Sequence, residues 1–570
     1  MSTTITESIS SSASSEIELA PVLGEQFQLS WQAALLVGWF ALLFLLSSHT
    51  PLAVDGDTWS HTNAGQWMFR NRSLSSEIAR VPLATGMPRL HTTWLFDAFS
   101  GFVASQFGVR GMCAATSIIS SAAIWLWSWQ FLRASRSNSL TLISTIVLGV
   151  VGSALFSVFN SRIFDGLLLG LLFALVWPRA RTQKRTQKQV QESSQKPQDS
   201  GEDIRSVHFL RCFALFAVWA NVSTTFVIGL VALLAIAIGK CISEFNSRGL
   251  RGLIADKARS WVWLLQLSVI ATLLTPHGLR LWTYLLTKEL NSVLAGVAAG
   301  RGLYAPSMQG VVTLMLVGFV ASKLARRQTD EESWFAVETA LLIAFGFCLL
   351  IDVSHFYCFA ATCLLLLASL APPRNAIRSH EPTENQPLRF AGTLFALLFV
   401  WCGFALSPLS VPFLGGQLRS AEGLHGDGAP WSVVNHLQKK SDASSGRGYE
   451  SLLSVPPAGL VSSTTHPFVF APAYWADWIM FTGPQEFEFF ANRDFDVLPR
   501  RVQADYQRVF RGENGWDRIL DRYAVTTLVL DRGAQARLSA SAKRNASWEL
   551  VVETPSVLTF ERKSLEGSGS

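Results

Sequence analysis

The chain has 570 residues, of which 49% are apolar and only 15% are charged, whereas an ordinary soluble domain carries about 25% charged residues. This composition excludes a disordered chain, a collagen-like chain and a small disulfide-rich scaffold. Apolar runs of about 20 residues, the length that crosses a bilayer, recur along the sequence. They predict a mainly α-helical membrane protein with several spans.

The formal net charge of +6 is unevenly distributed. Residues 414–570 hold 17 Lys and Arg against 18 Asp and Glu, so the positive surplus lies in residues 1–413. Basic residues concentrated in membrane loops indicate orientation, and we expect no nucleic-acid partner. None of the seven cysteines forms a CxxC pair, which argues against a disulfide framework or a thiolate zinc site.

The chain begins with a Ser- and Thr-rich segment without Lys or Arg, residues 1–30, which we interpret as a disordered cytoplasmic tail. The transmembrane domain is predicted over 31–413, with about 11 spans. The predicted spans lie near 31–46, 109–132, 138–158, 163–178, 207–221, 224–242, 259–275, 308–325, 334–351, 354–371 and 390–407. A shorter apolar run, 94–107, predicts an interfacial or re-entrant helix.

With a cytoplasmic N-terminus, every basic cluster falls in an inner loop, as the positive-inside rule requires. The strongest cluster lies between Arg179 and Lys188. An odd number of spans then places three large pieces outside: the first loop (48–93), the loop 276–307 and the C-terminal region (414–563). The C-terminal region alternates β-like runs with helical runs, which predicts a small extracytoplasmic α/β domain. The β-like runs lie at 468–470, 525–530, 549–552 and 557–560, and the helical runs lie at 497–511, 514–523 and 533–544. Residues 564–570 are predicted to be a flexible tail.

The first loop carries the most informative group of residues. Asp55, Asp57, His61 and Gly65 follow directly on the first span. In a helix starting at Asp57, the last three lie four apart on one face. The Asp55 and Asp57 pair can hold a divalent cation or transfer a proton. The alternatives are that Asp57 caps the helix and that His61 is an ordinary interfacial histidine.

Further candidates lie in the same loop and in later outer loops. His91 and Asp97 can return to the first-loop site, although Asp97 also fits the polar face of an amphipathic helix. Arg162, His277 and Arg280 are cationic, or can become so, on the outer side, where they can bind a lipid phosphate or reach toward headgroups. Asn221 lies at a tight break between two spans.

Motifs of soluble catalysts are absent from the sequence: there is no Walker loop, nucleophile elbow or HExxH. Acidic residues inside the predicted spans are scarce, which weighs against an ion-coupled transporter.

The first-loop residues resemble the opening loop of a bacterial family of multi-spanning proteins, largely uncharacterised, that is grouped with the C-type (GT-C) glycosyltransferases. Other segments of this chain also resemble that family. The matching runs are Asp55-x-Asp57-x-Trp59-x-His61-x3-Gly65-x-Trp67, Trp94-Leu95, Trp219-Ala220-Asn221, Thr275-Pro276-His277-Gly278 and Asn492-Arg493-Asp494. The chain departs from the family pattern at Ser60, Thr93, Ser223 and Ser354.

The resemblance implies a GT-C-like membrane fold in the bacterial inner membrane and a polyprenyl-phosphate-linked sugar as donor. Asp57 is then the candidate base, with Asp55 as its partner and His61 in support. Arg162 and Arg280 would hold the lipid phosphate. The two acids could instead hold Mg or Mn. The acceptor is a glycan or a protein, and the remaining partner is membrane lipid.

Two other functions stay open on the sequence alone. A non-catalytic binding or assembly protein on the same fold is compatible with the four departures. A transporter of a lipid-linked glycan is compatible with the number of spans.

Overall fold

The computed structural model describes residues 29–54, 57–74, 80–85, 90–135, 137–153, 158–177, 206–253, 256–287, 308–325, 332–351, 355–370, 386–415, 420, 422–445 and 467–563. Residues 1–28 of the predicted tail 1–30, the whole predicted tail 564–570 and Asp55 therefore lie outside the described residues. Ser30 is described and caps the first helix. Most of the described residues are helical, and one sheet lies in the C-terminal region.

Helices make up the part of the chain before the C-terminal region. Their bounds are α1 (Trp31–His49), α2 (Thr58–Asn71), α3 (Trp94–Ser135), α4 (Asn138–Gly152), α5 (Asp165–Val176), α6 (Ser206–Val222), α7 (Phe226–Arg248), α8 (Asp256–Ala271), α9 (Met308–Ala325), α10 (Glu332–Ile351), α11 (Phe356–Ser369) and α12 (Gln386–Ala405). A further helical stretch covers 279–287. Short helices lie at Leu250–Leu253 and Val411–Leu414.

Among the residues that the structure describes, three helices are long and apolar enough to cross a bilayer: α1, α3 and α7. The bent pair Ala391–Ala405 and Pro408–Leu414 could form a fourth span. Large apolar side chains such as Leu35, Leu42 and Leu46 are exposed on α1, which is expected where a helix faces lipid. These features support a membrane protein, while the count of 11 spans and the orientation stay predictions.

Helix α3 is bent at Gly108, whose backbone φ of 61° lies in the left-handed region. No atom would obstruct a Cβ at this position, so backbone conformation is the reason for glycine here. The bend separates a first arm, Trp94–Phe107, from an apolar second arm that starts at Val109. It falls at the predicted boundary between the short helix and the second span.

The C-terminal region contains a five-stranded sheet in the order β2-β1-β3-β5-β4. The strands are β1 (Phe468–Phe470), β2 (Glu488–Phe489), β3 (Thr527–Asp531), β4 (Trp548–Glu553) and β5 (Val557–Arg562). Strand β1 pairs in parallel with β2 and β3, whereas β5 is antiparallel to both β3 and β4. Five helices accompany the sheet: α13 (Trp431–Ser445), α14 (Ala473–Thr482), α15 (Arg500–Phe510), α16 (Trp516–Arg522) and α17 (Ala536–Arg544). The α/β character predicted for this region is observed.

The first loop is attached to the C-terminal region by backbone and aromatic contacts. Leu52 forms a β-bridge with His425, and the Trp59 ring stacks on the His425 ring at a centroid distance of 5.2 Å. Asn63 on α2 donates to the carbonyl of Asp477 on α14 at 2.8 Å. Helix α2 is therefore held between α3 on one side and the C-terminal region on the other.

Candidate functional site

The site is assembled where helix α2 crosses the first arm of α3. A Cβ added to Gly65 would lie 1.8 Å from the carbonyl oxygen of Asp97, so only glycine fits there. Gly101 is equally tight, because its Cβ would lie 2.4 Å from the carbonyl carbon of Gly65. His61 lies one helical turn before Gly65, and Asp97 lies one turn before Gly101. The close crossing therefore brings the imidazole to the carboxylate.

Asp97 is the centre of a buried polar cluster and is 1% exposed. Its Oδ1 lies 2.6 Å from Nδ1 of His61 and accepts a bond of 3.2 Å from the Thr93 hydroxyl. Its Oδ2 lies 3.3 Å from Nδ1 of His91, which is 3% exposed. A carboxylate so placed fixes the orientation of both imidazole rings. Among the described residues, Nε2 of His91 is buried without a hydrogen-bond partner.

Two later segments complete the support around this cluster. Nε2 of His277 lies 3.1 Å from the carbonyl oxygen of His91. Burial lowers the pKa of His277, the bond to that carbonyl opposes the shift, and the nearby His91 and Arg280 lower the pKa further. The indole of Trp94 donates to Oδ1 of Asn221 at 2.5 Å, and Asn221 in turn donates to the carbonyl of Leu274 at 3.0 Å. Both segments therefore hold the start of α3.

Asp57 occupies the N-cap position of α2, one residue before the helix begins, and its side chain forms no capping bond. Its carboxylate instead forms an ion pair with Nε of Arg493 in the C-terminal region. The side chains of Asp57 and Arg493 are 43% and 39% exposed. The acid predicted to be the base is thus accessible at the junction of the first loop and the C-terminal region.

The turn that carries Arg493 is fixed by hydrogen bonds from both sides. Asp477, 3% exposed, accepts from the backbone N–H of Arg493 at 3.1 Å and from the side chain of Asn492 at 3.1 Å. Ser60 of α2 donates to Asp494 at 3.2 Å. These bonds hold the 492–494 turn against the first turn of α2.

The structure brings only some of the sequence candidates together. His61, His91 and Asp97 form one cluster, His277 joins it through a backbone carbonyl, and Asn221 joins it through Trp94. The two candidate arginines, Arg162 and Arg280, are exposed. The backbone N–H of Arg280 donates to the carbonyl of His277 at 3.0 Å. The turn before Arg162 reaches the start of α2, where the N–H of Phe159 donates to Thr58 at 3.0 Å.

A divalent cation is not supported by the residues that the structure describes. Within them, no group of three or more His, Cys, Asp or Glu side chains could hold a metal ion. The carboxylate of Asp57 already faces the guanidinium of Arg493, and a cation would have to compete with that positive charge. The predicted pairing with Asp55 lies outside the described residues.

Sequence reasoning did not assign roles to Arg493, Asp477 or Asp494. The run Asn492-Arg493-Asp494 was visible only as part of a family resemblance. Its contact with Asp57 joins positions more than 400 residues apart, and no local pattern reports such a pairing.

Comparisons with known proteins give similarity at the level of structure. No family model and no curated protein matches the chain. The chain is similar to the Archaeoglobus fulgidus oligosaccharyltransferase in its apo form, at 12% identity and a TM-score of 0.48, over 94% of this chain and 75% of that one. Two complexes of that enzyme are also similar to this chain. The identity is 11% for the complex tethered with an acceptor peptide containing the NVT sequon. It is 12% for the complex with an inhibitory peptide and a dolichol-phosphate. Both have a TM-score of 0.49 and cover 94% of this chain and 74% of theirs.

At these identities and TM-scores, the matches assign no role to any residue of this chain.

Proposed function

We propose that this protein is a membrane glycosyltransferase that moves a sugar from a polyprenyl-phosphate donor to an acceptor on the outer face of the membrane. The observation that carries the proposal is the accessible Asp57 and Arg493 pair, which lies at the junction of the first loop and the C-terminal region. A carboxylate can take a proton there, and a guanidinium can hold a phosphate. Both groups are needed for this transfer.

In the proposed step, a nucleophilic atom of the acceptor attacks the anomeric carbon of the donor sugar. The bond between that carbon and the phosphate oxygen breaks, and its electron pair leaves with the polyprenyl phosphate. Asp57 accepts the proton that the acceptor loses. Arg493 stabilises the negative charge that develops on the departing phosphate.

The Asp97 cluster acts as support in this proposal. Asp97 orients His61, and the bonds from Thr93 and His91 hold the carboxylate in place. His61 lies one turn along α2 from Asp57, so a fixed imidazole helps to define the wall of the acceptor site. His277 and Asn221 act indirectly, because they hold the segment from His91 to Trp94.

The proposal gives Arg493 the role of holding the donor phosphate, which the resemblance implied for Arg162 and Arg280. Those two arginines are exposed and would contact lipid headgroups, the alternative role left open by the sequence. Asp55 would share the proton with Asp57. No nucleotide site is required, because the activated sugar arrives on the lipid, and this agrees with the absence of a Walker loop in the sequence.

The test is mass spectrometry of polyprenyl-linked sugars in the source cells. A deletion strain is complemented with the wild type, with Asp57→Asn, or with Asp496→Asn, an exposed acid near the 492–494 turn. We expect one lipid-linked sugar to accumulate in the deletion and Asp57→Asn strains but not with the Asp496→Asn control. If the deletion accumulates no such lipid, the transferase proposal fails and a binding or assembly role replaces it. If Asp57→Asn complements fully, Asp57 is not the base.

A further inference from the structure

We propose that Arg493 is a phosphate-binding residue and that Asp57 occupies its guanidinium until a phosphate displaces it. The ligand is a phosphate or diphosphate ester. Its identification with the headgroup of a polyprenyl donor rests on the proposed function. Binding of the phosphate would then release the Asp57 carboxylate at the moment when the acceptor needs a base.

Arg493 has more donors than a single contact with Asp57 uses. The ion pair is recorded between Nε of Arg493 and Oδ1 of Asp57. A guanidinium presents five N–H donors in a fork that matches two oxygens of one phosphate. A phosphate group can therefore make two parallel bonds to the guanidinium that Asp57 now contacts through Nε.

The ion pair between Asp57 and Arg493 is exposed to solvent. Both side chains of the pair are accessible to about two fifths of their surface. An ion pair in that setting is weak, because water and salt screen it. A phosphate that makes two parallel bonds to Arg493 can therefore compete with one carboxylate.

The backbone that carries Arg493 is held in place by hydrogen bonds. Asp477 fixes the N–H of Arg493 and the side chain of Asn492, and Ser60 holds Asp494. The exchange of partners thus requires only a change of side-chain rotamer, while the turn stays in place. Asp477 is a positioning residue in this scheme.

The scheme orders the events at the site. While the pair is closed, Oδ1 of Asp57 is engaged by the guanidinium of Arg493. Once a phosphate holds Arg493, the carboxylate is free to accept a proton. Proton transfer before the donor has bound is thereby disfavoured.

The scheme predicts opposite effects of two substitutions on phosphate binding. Asp57→Asn removes the competitor, so the affinity for phosphate should rise about three- to ten-fold even though transfer is lost. Arg493→Gln removes the fork, so the affinity should fall about ten-fold or more. Arg493→Lys keeps the charge without the fork and should lie between Arg493→Gln and the wild type.

The experiment uses the purified full-length protein. One arm measures binding of polyprenyl phosphate to the protein reconstituted in phosphatidylcholine vesicles, and the other measures binding of inorganic diphosphate to the protein in detergent. The control is Arg500→Gln, an exposed arginine at the start of α15, which should bind as the wild type does. Thermal unfolding of each variant verifies folding, and Asp57→Ser provides a second way to remove the competitor.

Tighter binding by Asp57→Asn together with weaker binding by Arg493→Gln supports the scheme. A response confined to the vesicle arm assigns the ligand to a lipid headgroup, and a response in both arms assigns it to phosphate in general. The scheme is overturned if folded Asp57→Asn and Asp57→Ser bind no more tightly than the wild type, or if Arg493→Gln binds equally well. If the variants show the predicted order of phosphate affinities but the deletion strain accumulates no lipid-linked sugar, the phosphate site stands and the transferase proposal fails.

Discussion

Gly65 of α2 lies directly against Gly101 of α3, and this contact sets the distance between two functional side chains. His61 and Asp97 each lie four residues before one of these glycines, and their side chains meet at 2.6 Å. A helix crossing made by two glycines is closer than one made by larger residues. The Asp97 cluster therefore depends on the absence of two methyl groups.

The substitution Gly65→Ala should destabilise the protein. The new Cβ would lie 1.8 Å from the carbonyl of Asp97 and 2.8 Å from the backbone nitrogen of Gly101, so the helices must separate. We expect a loss of about 1–3 kcal/mol in the free energy of unfolding, measured by thermal unfolding in detergent. The control is Gly346→Ala, because no atom lies within 4 Å of a Cβ at that position. Equal unfolding midpoints for the two variants would contradict the tight crossing.

The substitution Asp97→Asn should impair catalysis more than donor binding. An amide has no charge with which to orient His61 and His91, so transfer should slow by about ten- to a hundred-fold. We expect kcat to fall while KM for the donor stays within about two-fold. Thr93→Val, which removes only one bond to Asp97, should have a smaller effect on kcat. A rise in KM with kcat unchanged would show that Asp97 contributes to binding and not to the positioning of His61.

Arg80 should connect the first loop to the C-terminal region. Its backbone has a φ of 64°, and its guanidinium donates to the carbonyls of Met480, Pro484 and Phe487 at 2.5–2.9 Å. Burial lowers the pKa of Arg80 to about 10, and the neighbouring Arg70 lowers it too, so the side chain stays charged at neutral pH.

Arg80→Ala leaves those three carbonyls without this donor and should detach the loop. We expect faster limited proteolysis between residues 72 and 90, the stretch that contains Arg80. The matched control is Arg72→Ala, because Arg72 also has a positive φ, of 49°, but is exposed. If both variants are cut at the wild-type rate, the contacts of Arg80 do not hold the loop.

His425 should make stability depend on pH. Its Nδ1 accepts a bond of 2.8 Å from the indole of Trp478, and its ring packs against Trp59 and Trp431. Burial lowers the pKa of His425 to about 4, against about 6.5 in an unfolded chain. Between these values the unfolded chain takes up a proton that the folded chain does not.

The contribution of His425 to the free energy of unfolding is therefore fully present above pH 6.5 and is lost as the pH falls toward 4. About 2 kcal/mol of that contribution is lost at pH 5. The measurement is the unfolding midpoint across this range for the wild type and for His425→Gln, which cannot titrate. The variant should show a flatter dependence, whereas His49→Gln, an exposed histidine at the end of α1, should follow the wild type. Parallel curves for wild type and His425→Gln would refute the prediction.

Local patterns predicted much of the C-terminal region. The predicted run at 468–470 coincides with β1, the run at 525–530 overlaps β3, and the runs at 549–552 and 557–560 lie within β4 and β5. The three predicted helices each overlap an observed one. Strand β2 was missed because two residues, Glu488 and Phe489, are too few to show an alternation. Helix α14 was not predicted because most of its own residues are apolar, including two tryptophans. A helix that is apolar on nearly all sides shows no helical period in its sequence.

The site was predictable only in part. Asp57, His61 and Asp97 could be singled out as polar residues close to an apolar span. Their partners could not, because Arg493 and Asp477 are brought to them by the docking of the C-terminal region, and neither periodicity nor composition reports a contact over such a separation. The single-helix view of Asp57 and His61 also placed both on one face, whereas the structure turns Asp57 toward Arg493 and His61 toward Asp97.

The most direct test of the account uses the lipid-linked sugar that accumulates in the deletion strain. That lipid is purified, placed in vesicles with the purified protein and an extract of acceptor, and the loss of its sugar is followed by mass spectrometry. We predict that the wild type and Asp496→Asn consume the donor, and that Asp57→Asn does so at least about a hundred-fold more slowly. Consumption by Asp57→Asn at the wild-type rate would contradict the role of Asp57, and a wild-type protein that leaves the donor intact would contradict glycosyl transfer itself.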